Sequence, residues 1–194
     1  MKINNISNFA FQKTLKANCT ILKDNKPCQC SIYKLDKGVD DDYIDTKIFP
    51  NPAWDFSEYI MGLYLRMEDA IDGLDNVYVM EDKDENCIGY ISESIVNNNS
   101  NTIEYLEALP KDGKNPKMKY IGETLVNFVL NLTKKRGQNF LFVPVPVQQA
   151  LGFYNKLGFI SSRQGLVMVT ESPRARDLNK QNEMHTNSKI EYIG

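Results

Sequence analysis

Cysteine and histidine side chains are the first candidates for chemistry in this chain, either as metal ligands or as a nucleophile and its base. Cys28 and Cys30 lie two residues apart in a strand-like run, so their side chains share one face. A zinc site normally adds a second cysteine pair or nearby histidines, and the single histidine, His185, lies in a distant polar segment. Free, partly buried thiols are therefore favoured over metal binding through Cys28 and Cys30. A Ser/His/Asp or Cys/His nucleophile is disfavoured too, because its base would have to be His185.

A tyrosine and two glutamates lie in segments with clear periodicity. Glu104 and Glu107 lie in or beside an apolar run over residues 103–109 that predicts a strand. Tyr154 lies in segment 147–157, where apolar residues recur at helical spacing and predict a short helix closed by a glycine. Periodicity alone makes Tyr154 a buried hydroxyl of a well-capped core helix, and each glutamate an exposed carboxylate at a strand edge.

A third segment has the character of an anion site. Residues 117–122 open a predicted helix directly after the strand at 103–109. The N-terminus of a helix has unpaired backbone N–H groups and the positive end of the helix dipole, which together suit a phosphate. Gly122, in the first turn, lets the backbone approach a bulky anion. Many helices begin with a lysine-rich loop, so this segment gains its meaning from its place between the strand and the Tyr154 helix.

The elements that must position these groups predict one mixed sheet. Their order is a β-hairpin, helices, an antiparallel meander of three strands joined by tight polar turns, and then helix, strand, helix and strand. Only the later half requires helical crossovers. The predicted fold class is therefore α/β (α+β), a mixed central sheet with flanking helices. The second half is predicted as strands at 77–80, 88–96, 103–109 and 140–145, with helices at 121–136 and 147–157. Residues 159–169 supply the last strand material, either as one strand or as a hairpin that turns near residues 163–165.

The order of these elements and two of their motifs resemble the GNAT superfamily of N-acetyltransferases over residues 77–170. The segment Phe153-Tyr154-Asn155-Lys156-Leu157-Gly158-Phe159 closely resembles the family signature FY-x-x-x-GF. The resemblance implies a GNAT-like acyl-CoA N-acyltransferase fold and acetyl-CoA (CoA) as the cofactor. It also implies that Tyr154 lies near the cofactor thiol and protonates the departing thiolate, a role that suits a phenol in a water-poor cleft.

The resemblance assigns cofactor binding mainly to backbone groups. The family pattern is Arg or Gln, two residues, Gly, one residue, and then Gly or Ala. Here Lys117 stands at the first position and Gly122 at the last, while Tyr120 replaces the usual glycine. On the preceding strand, the main chain would hydrogen-bond the pantetheine and polarise the thioester carbonyl. The implied cofactor-binding residues are Ala108, Leu109, Lys117, Lys119, Tyr120, Ile121, Gly122 and Glu123.

Two prolines bear on where the cofactor arm would enter. Pro144 and Pro146 follow an apolar strand, where an inner sheet position would lose ladder hydrogen bonds. In the GNAT fold two adjacent parallel strands splay apart at this point and the acyl-pantetheine arm enters the gap. Proline is tolerable in a strand that has left its neighbour. The alternative is that the strand simply ends at Val143.

The predicted function is transfer of an acetyl group from acetyl-CoA to a primary amine of a small molecule or a protein. Glu107 or Glu104 would take the proton from the ammonium, directly or through water. Acidic residues favour a cationic acceptor such as a polyamine, a lysine side chain or an aminoglycoside-like molecule. They are Asp40, Asp41, Asp42, Asp45, Asp55 and Glu58. The alternative, which the departure at Tyr120 favours, is a catalytically inactive GNAT-fold binding or regulatory module that retains the CoA cleft.

The composition limits the other classes of protein to which the chain could belong. The chain has 194 residues, of which 42% are hydrophobic and 25% charged, as expected for one globular domain. A net charge of -2 argues against a nucleic-acid partner. No run approaches the roughly 18 apolar residues of a membrane helix, and no secretory signal is evident, so a cytoplasmic monomer or homodimer is expected. A single acetyltransferase domain is predicted over residues 1–171, followed by a flexible C-terminal tail over 172–194.

Overall fold

The computed structural model describes residues 13–35, 43, 46–47, 75–109, 118–144 and 146–193. The elements are β1 (Lys13–Lys23), β2 (Lys26–Leu35), β3 (Asp75–Asp82), β4 (Cys87–Asn97), β5 (Ser100–Ala108), β6 (Met118–Lys119), α1 (Ile121–Lys135), β7 (Phe140–Val143), α2 (Gln148–Lys156), β8 (Ile160–Ser162), β9 (Gly165–Val169), α3 (Pro173–Thr186) and β10 (Glu191–Tyr192).

In the described ranges the strands form one mixed sheet with the order β10-β1-β2-β3-β4-β5-β7-β9-β8, and β6 pairs with β1. The predicted mixed sheet with flanking helices is confirmed.

Several sequence predictions lie outside the described residues. They are the helix predicted after residue 53, the acidic residues Asp40, Asp41, Asp42, Asp45, Asp55 and Glu58, and the first residue of the pyrophosphate motif, Lys117. In the part of the chain that is described, no helix is long and apolar enough to cross a membrane.

The predicted hairpin is β1–β2, and its turn explains its register. Asp24 and Asn25 both have positive φ, 52° and 60°, as a two-residue turn of the primed type requires. Asp and Asn reach this left-handed region more readily than most residues. The strands pair antiparallel from Lys23 with Lys26 to Lys13 with Leu35. From β2 to β5 every neighbouring pair is also antiparallel, so the predicted meander is confirmed.

Helix α1 forms the core by packing one face on the sheet. Its residues Leu125, Phe128 and Val129 are fully buried, and their spacing of three and four residues places them on one side of the helix. The closest approach is at Gly89 on β4. A Cβ added there would lie 2.5 Å from the Cγ2 of Ile121, so the first turn of α1 lies directly against the backbone of β4.

The structure differs from the flexible tail that the sequence predicts after residue 171. Ser172 caps α3 by accepting a hydrogen bond from the N–H of Ala175 (3.2 Å), and Pro173 starts the helix. β10 then pairs with the edge strand β1, with Tyr192 opposite Ala17. The helix was not recognised because its contacts with α1 are mostly polar, so it lacks a continuous apolar stripe. They join Asn179 to Asn131, and Asn182 to Glu123, Thr124 and Asn127.

A fully buried carboxylate joins three strands to the end of α1. Glu93 on β4 is 0% exposed and accepts two hydrogen bonds from the guanidinium of Arg136, at 2.9 Å and 2.7 Å. The hydroxyl of Tyr78 (2.9 Å) and the amide of Asn101 also donate to it. Arg136 is the C-cap residue of α1, where a cation also suits the negative end of the helix dipole. The network therefore links β3, β4, β5 and α1.

This network predicts a large loss of stability when its charge is removed. Glu93→Gln keeps the shape of the side chain but leaves the partly buried Arg136 guanidinium without its counter-ion, which we expect to cost about 3 kcal/mol. Urea unfolding followed by circular dichroism measures this loss. The control is Glu171→Gln, which removes the exposed partner of Lys134 and should cost less than about 1 kcal/mol. Equal, small losses in the two variants would contradict the role assigned to Glu93.

Candidate functional site

A gap opens between β5 and β7, the two neighbouring parallel strands of the sheet. They pair only over Ser100–Thr102, opposite Phe140–Phe142, although β5 continues to Ala108. Over the described residues, no strand pairs with the β7-facing edge of β5 beyond Thr102. The gap therefore runs along residues 103–108 of β5.

Two local irregularities explain why the strands part. Ser92 of β4 lies opposite Tyr105 and Glu93 lies opposite Ile103, so Glu104 is an extra residue inserted in β5. Such a β-bulge bends the strand that carries it. At the far end of β7, Gly165 begins β9 with a φ of +113°, and an added Cβ would overlap the carbonyl oxygens of Val143 and Pro144. β9 therefore holds the end of β7 at close range, on the side away from β5.

The backbone at the end of β5 corrects one predicted cofactor contact. The N–H of Leu109 donates to the carbonyl of Ile88 on β4 at 2.9 Å, so it is not open to a ligand in the gap. Successive residues of a strand direct their backbone groups to opposite edges. The N–H and C=O of Ala108 therefore face the gap. Of the two predicted strand contacts, Ala108 fits the role and the N–H of Leu109 does not.

The start of α1 has the backbone conformation that the motif requires, despite its tyrosine. Tyr120 is the N-cap residue with φ 72°, in the left-handed region where glycine is the usual residue. No side chain caps the helix, so the first-turn N–H groups of Ile121, Gly122 and Glu123 are not bound by an N-cap side chain. The ammonium of Lys119 instead donates to the side chain of Asn25 at 2.7 Å, so it is directed at the β1–β2 turn.

Gly122 brings the start of α1 against α2. A Cβ added at Gly122 would lie 3.2 Å from the Cζ of Phe153 and 3.9 Å from the Cδ2 of Leu106. The first turn of α1, the open part of β5 and helix α2 therefore meet at one point. This contact joins the predicted anion site to the helix that carries Tyr154.

Tyr154 has the environment of a buried proton donor. Its side chain is 5% exposed and packs edge-to-face against Phe153 (5.1 Å between ring centroids) and Phe159 (5.4 Å). Among the described residues its hydroxyl makes no hydrogen bond. Burial raises the pKa of Tyr154 above its ordinary value, because an apolar environment disfavours the phenolate. The hydroxyl therefore keeps its proton at neutral pH.

The two candidate bases differ in environment. Glu107 is 8% exposed and accepts a hydrogen bond from the hydroxyl of Tyr90 on β4 at 2.6 Å. Burial and the neighbouring carboxylate raise the pKa of Tyr90, so this hydroxyl remains a donor. Tyr90 follows Gly89, which faces α1, so the pair lies on the opposite face of the sheet. Glu104 is the half-buried bulge residue. No local sequence pattern indicates Tyr90, because its pairing with Glu107 depends on the strand register.

A second missed group lies at the start of α1. The carboxylate of Glu123 is in contact with Nδ1 of His185 on α3, at 3.0 Å and 3.2 Å, and accepts a hydrogen bond from Asn182 at 3.3 Å. The His185 ring also stacks on Tyr120, with 4.5 Å between ring centroids and 13° between planes. His185 is 62 residues from Glu123 along the chain, so no local pattern could have indicated this contact.

The cysteines lack the environment of a reactive nucleophile. All four are free thiols, and three of them are buried. Burial raises the pKa of Cys19 and of Cys87 to about 12, which makes both thiols weak nucleophiles. Within the described ranges, no three His, Cys, Asp or Glu side chains are grouped as metal ligands.

Comparison with known proteins identifies the architecture. No protein-family model and no curated protein sequence matches the chain. Several solved structures do match the chain. A candidate acetyltransferase from Exiguobacterium sp. 255-15 superposes with a TM-score of 0.54 at 14% identity, over 77% of this chain and 98% of that one. A candidate GNAT-family acetyltransferase from Desulfovibrio desulfuricans gives 0.54 at 12% identity, over 73% and 99%. The protein AtaT, complexed with acetyl-methionyl-tRNAfMet, gives 0.52 at 18% identity, over 76% and 99%. The resemblance is thus confirmed at the level of architecture: this chain has the fold of the GNAT acetyltransferases.

Proposed function

We propose that this protein is an N-acetyltransferase that transfers the acetyl group of acetyl-CoA to a primary amine. The observation that carries the proposal is the gap beside β5, where the first turn of α1 meets Leu106 of β5 and Phe153 of the helix that carries Tyr154. The likeness of the fold to acetyltransferase structures supports it. So does AtaT, which has this fold and is complexed with an acetylated aminoacyl-tRNA.

The residues of the site fit an acyl-CoA cofactor in three respects. The first-turn N–H groups of Ile121, Gly122 and Glu123 suit its pyrophosphate, because they lie at the positive end of the α1 dipole and the N-cap side chain does not bind them. The absence of a side chain at Gly122 lets the backbone approach that group. The N–H and C=O of Ala108, which face the gap, suit its amide-containing pantetheine arm. When bound, acetyl-CoA supplies an activated thioester and a thiolate leaving group.

Acid–base chemistry would come from the two sides of the sheet. The Glu107 carboxylate, with Tyr90 as its hydrogen-bond donor, takes the proton from the ammonium of the acceptor. Tyr154 donates its proton to the leaving sulfur. Burial raises the pKa of Tyr154, but the same apolar cleft also disfavours a thiolate. The free-energy difference for proton transfer from Tyr154 to the thiolate is therefore smaller than the raised pKa of the phenol alone suggests.

The acceptor class follows from charge. A buried carboxylate at the site favours a cationic amine, such as a polyamine, a lysine side chain or an aminoglycoside-like molecule. The acidic residues between Asp40 and Glu58 favour the same class through their composition alone. We propose no nucleic-acid or membrane partner, and a monomer or homodimer as the working unit.

A catalytically inactive binding or regulatory module is the second candidate. One observation favours it: Glu123 places a carboxylate in the first turn of α1, beside the N–H groups proposed for the pyrophosphate. Such a module would bind CoA without releasing its thiol. The Tyr154 variant below distinguishes the two candidates.

Removal of the Tyr154 hydroxyl tests the chemistry. Tyr154→Phe keeps the packing against Phe153 and Phe159 but removes the proton donor, so we expect kcat to fall about 100-fold while CoA affinity changes less than about twofold. Thiol release with a panel of amines measures kcat, and calorimetry measures CoA binding. The matched control is Tyr33→Phe on β2, outside the site, which should leave both quantities unchanged. CoA binding without thiol release in the unmodified protein would favour the inactive module.

The identity of the base gives a separate prediction. Glu107→Gln should lower kcat/KM about 100-fold at pH 7. The loss should shrink toward pH 10, because free amine becomes abundant near the ordinary pKa of an alkylamine, about 10.4 for lysine. Glu104→Gln, at the bulge, should lose less than about threefold. Rates measured from pH 6.5 to 10 check this, and a larger loss in Glu104→Gln would assign the base to Glu104 instead.

A further inference from the structure

The start of α1 contains a charge that opposes the proposed cofactor. Glu123 is the third residue of the helix, and its side chain is only 11% exposed. A carboxylate in this turn suits the helix dipole, but it also competes with any anion for the same positive end. The pyrophosphate proposed to bind at the N–H groups of Ile121, Gly122 and Glu123 would therefore meet a negative charge within the same turn.

His185 is the group placed to offset that charge. Its Nδ1 lies 3.0 Å and 3.2 Å from the two carboxylate oxygens of Glu123, so this nitrogen carries the proton of a neutral ring. The ring is held in place by stacking on Tyr120, the residue with the left-handed backbone that starts the helix. Imidazole is also the side chain whose ordinary pKa lies closest to neutrality. One further proton would turn this contact into an ion pair.

Among the described residues, Glu123 is the charged side chain that His185 contacts. From α1, the groups against the ring are the Glu123 carboxylate and the Tyr120 phenol. From β6, the Lys119 ammonium is bonded to Asn25. On α3 and just beyond it, Glu183 is paired with Lys189 at 4.0 Å. Among the described residues, no other ion pair involves His185.

We propose that His185 is a positioning residue that couples proton uptake to cofactor binding at the start of α1. The imidazolium neutralises Glu123 and leaves the positive end of the helix free for the pyrophosphate. The neutral ring leaves the carboxylate charge uncompensated. This inference rests on the proposed function, because it concerns the same cofactor. For one unit charge at a solvent-accessible site, the coupling should change affinity about fivefold, and less at high salt.

The test is calorimetric binding of dephospho-CoA between pH 5.5 and 8.5. This ligand keeps the pyrophosphate but lacks the 3′-phosphate monoester, whose own titration near pH 6 would obscure the effect. The unmodified protein should lose about fivefold in affinity across this range. Titrations at pH 7 in buffers of different ionisation enthalpy should also detect net proton uptake on binding.

Three variants distinguish an electrostatic role of His185 from a purely structural one. His185→Gln removes the titrating group and should bind weakly at every pH without proton uptake. His185→Arg keeps a stacking cation and should bind tightly at every pH. Glu123→Gln removes the charge that needs compensation and should also bind tightly and without pH dependence. A merely structural role for His185 would not give a tight, pH-independent Arg variant.

The control variant is Asn179→Ala, which removes the hydrogen bond from Asn131 to α3 (2.7 Å) farther along α1. It should retain the pH dependence of the unmodified protein, and thermal unfolding should show that all four variants are folded. Equal pH dependence in the unmodified protein and His185→Gln overturns this inference alone. Absence of dephospho-CoA and CoA binding at every pH overturns the proposed function, and this inference with it.

Discussion

The buried ion pair between Glu93 and Arg136 is the interaction on which the geometry of the site depends. Strands β5 and β7 must be joined at one end for their other ends to diverge in a defined way, and they are joined at Ser100–Thr102. Asn101, in the middle of this short pairing, donates to Glu93, which Arg136 holds from the end of α1. The network therefore fixes the closed end of the gap relative to α1, whose other end is the proposed cofactor site.

A buried carboxylate lies near each end of α1, and the two are paired with different basic side chains. Near its C-terminus, Glu93 is paired with a guanidinium, which keeps its charge at every physiological pH. At its N-terminus, Glu123 is paired with an imidazole, whose charge depends on pH. The first pair suits a permanent structural role. The second pair leaves the electrostatics of the helix start adjustable, at the point where an anionic ligand would bind.

Local patterns predicted much of the second half of the chain, and contacts between distant segments account for what was missed. The strands at 77–109 and the helix that carries Tyr154 were predicted because their periodicity is contained in short windows. Helix α3 was not, because its face against α1 is formed by asparagines. The use of the Leu109 N–H by Ile88 and the pairing of Tyr90 with Glu107 depend on strand register, which one sequence does not specify.

The β-bulge at Glu104 determines more than the bend of β5. Side chains alternate between the two faces of a strand, so one inserted residue reverses the assignment of every residue that follows it. With the bulge, Leu106 and Ala108 lie on the α1 side and Glu107 lies beside Tyr90 on the other. If the same residues paired with β4 without the bulge, Glu107 would point into the apolar core and the face that now holds it would carry leucine and alanine. The bulge thus places the carboxylate on the face of the sheet opposite α1.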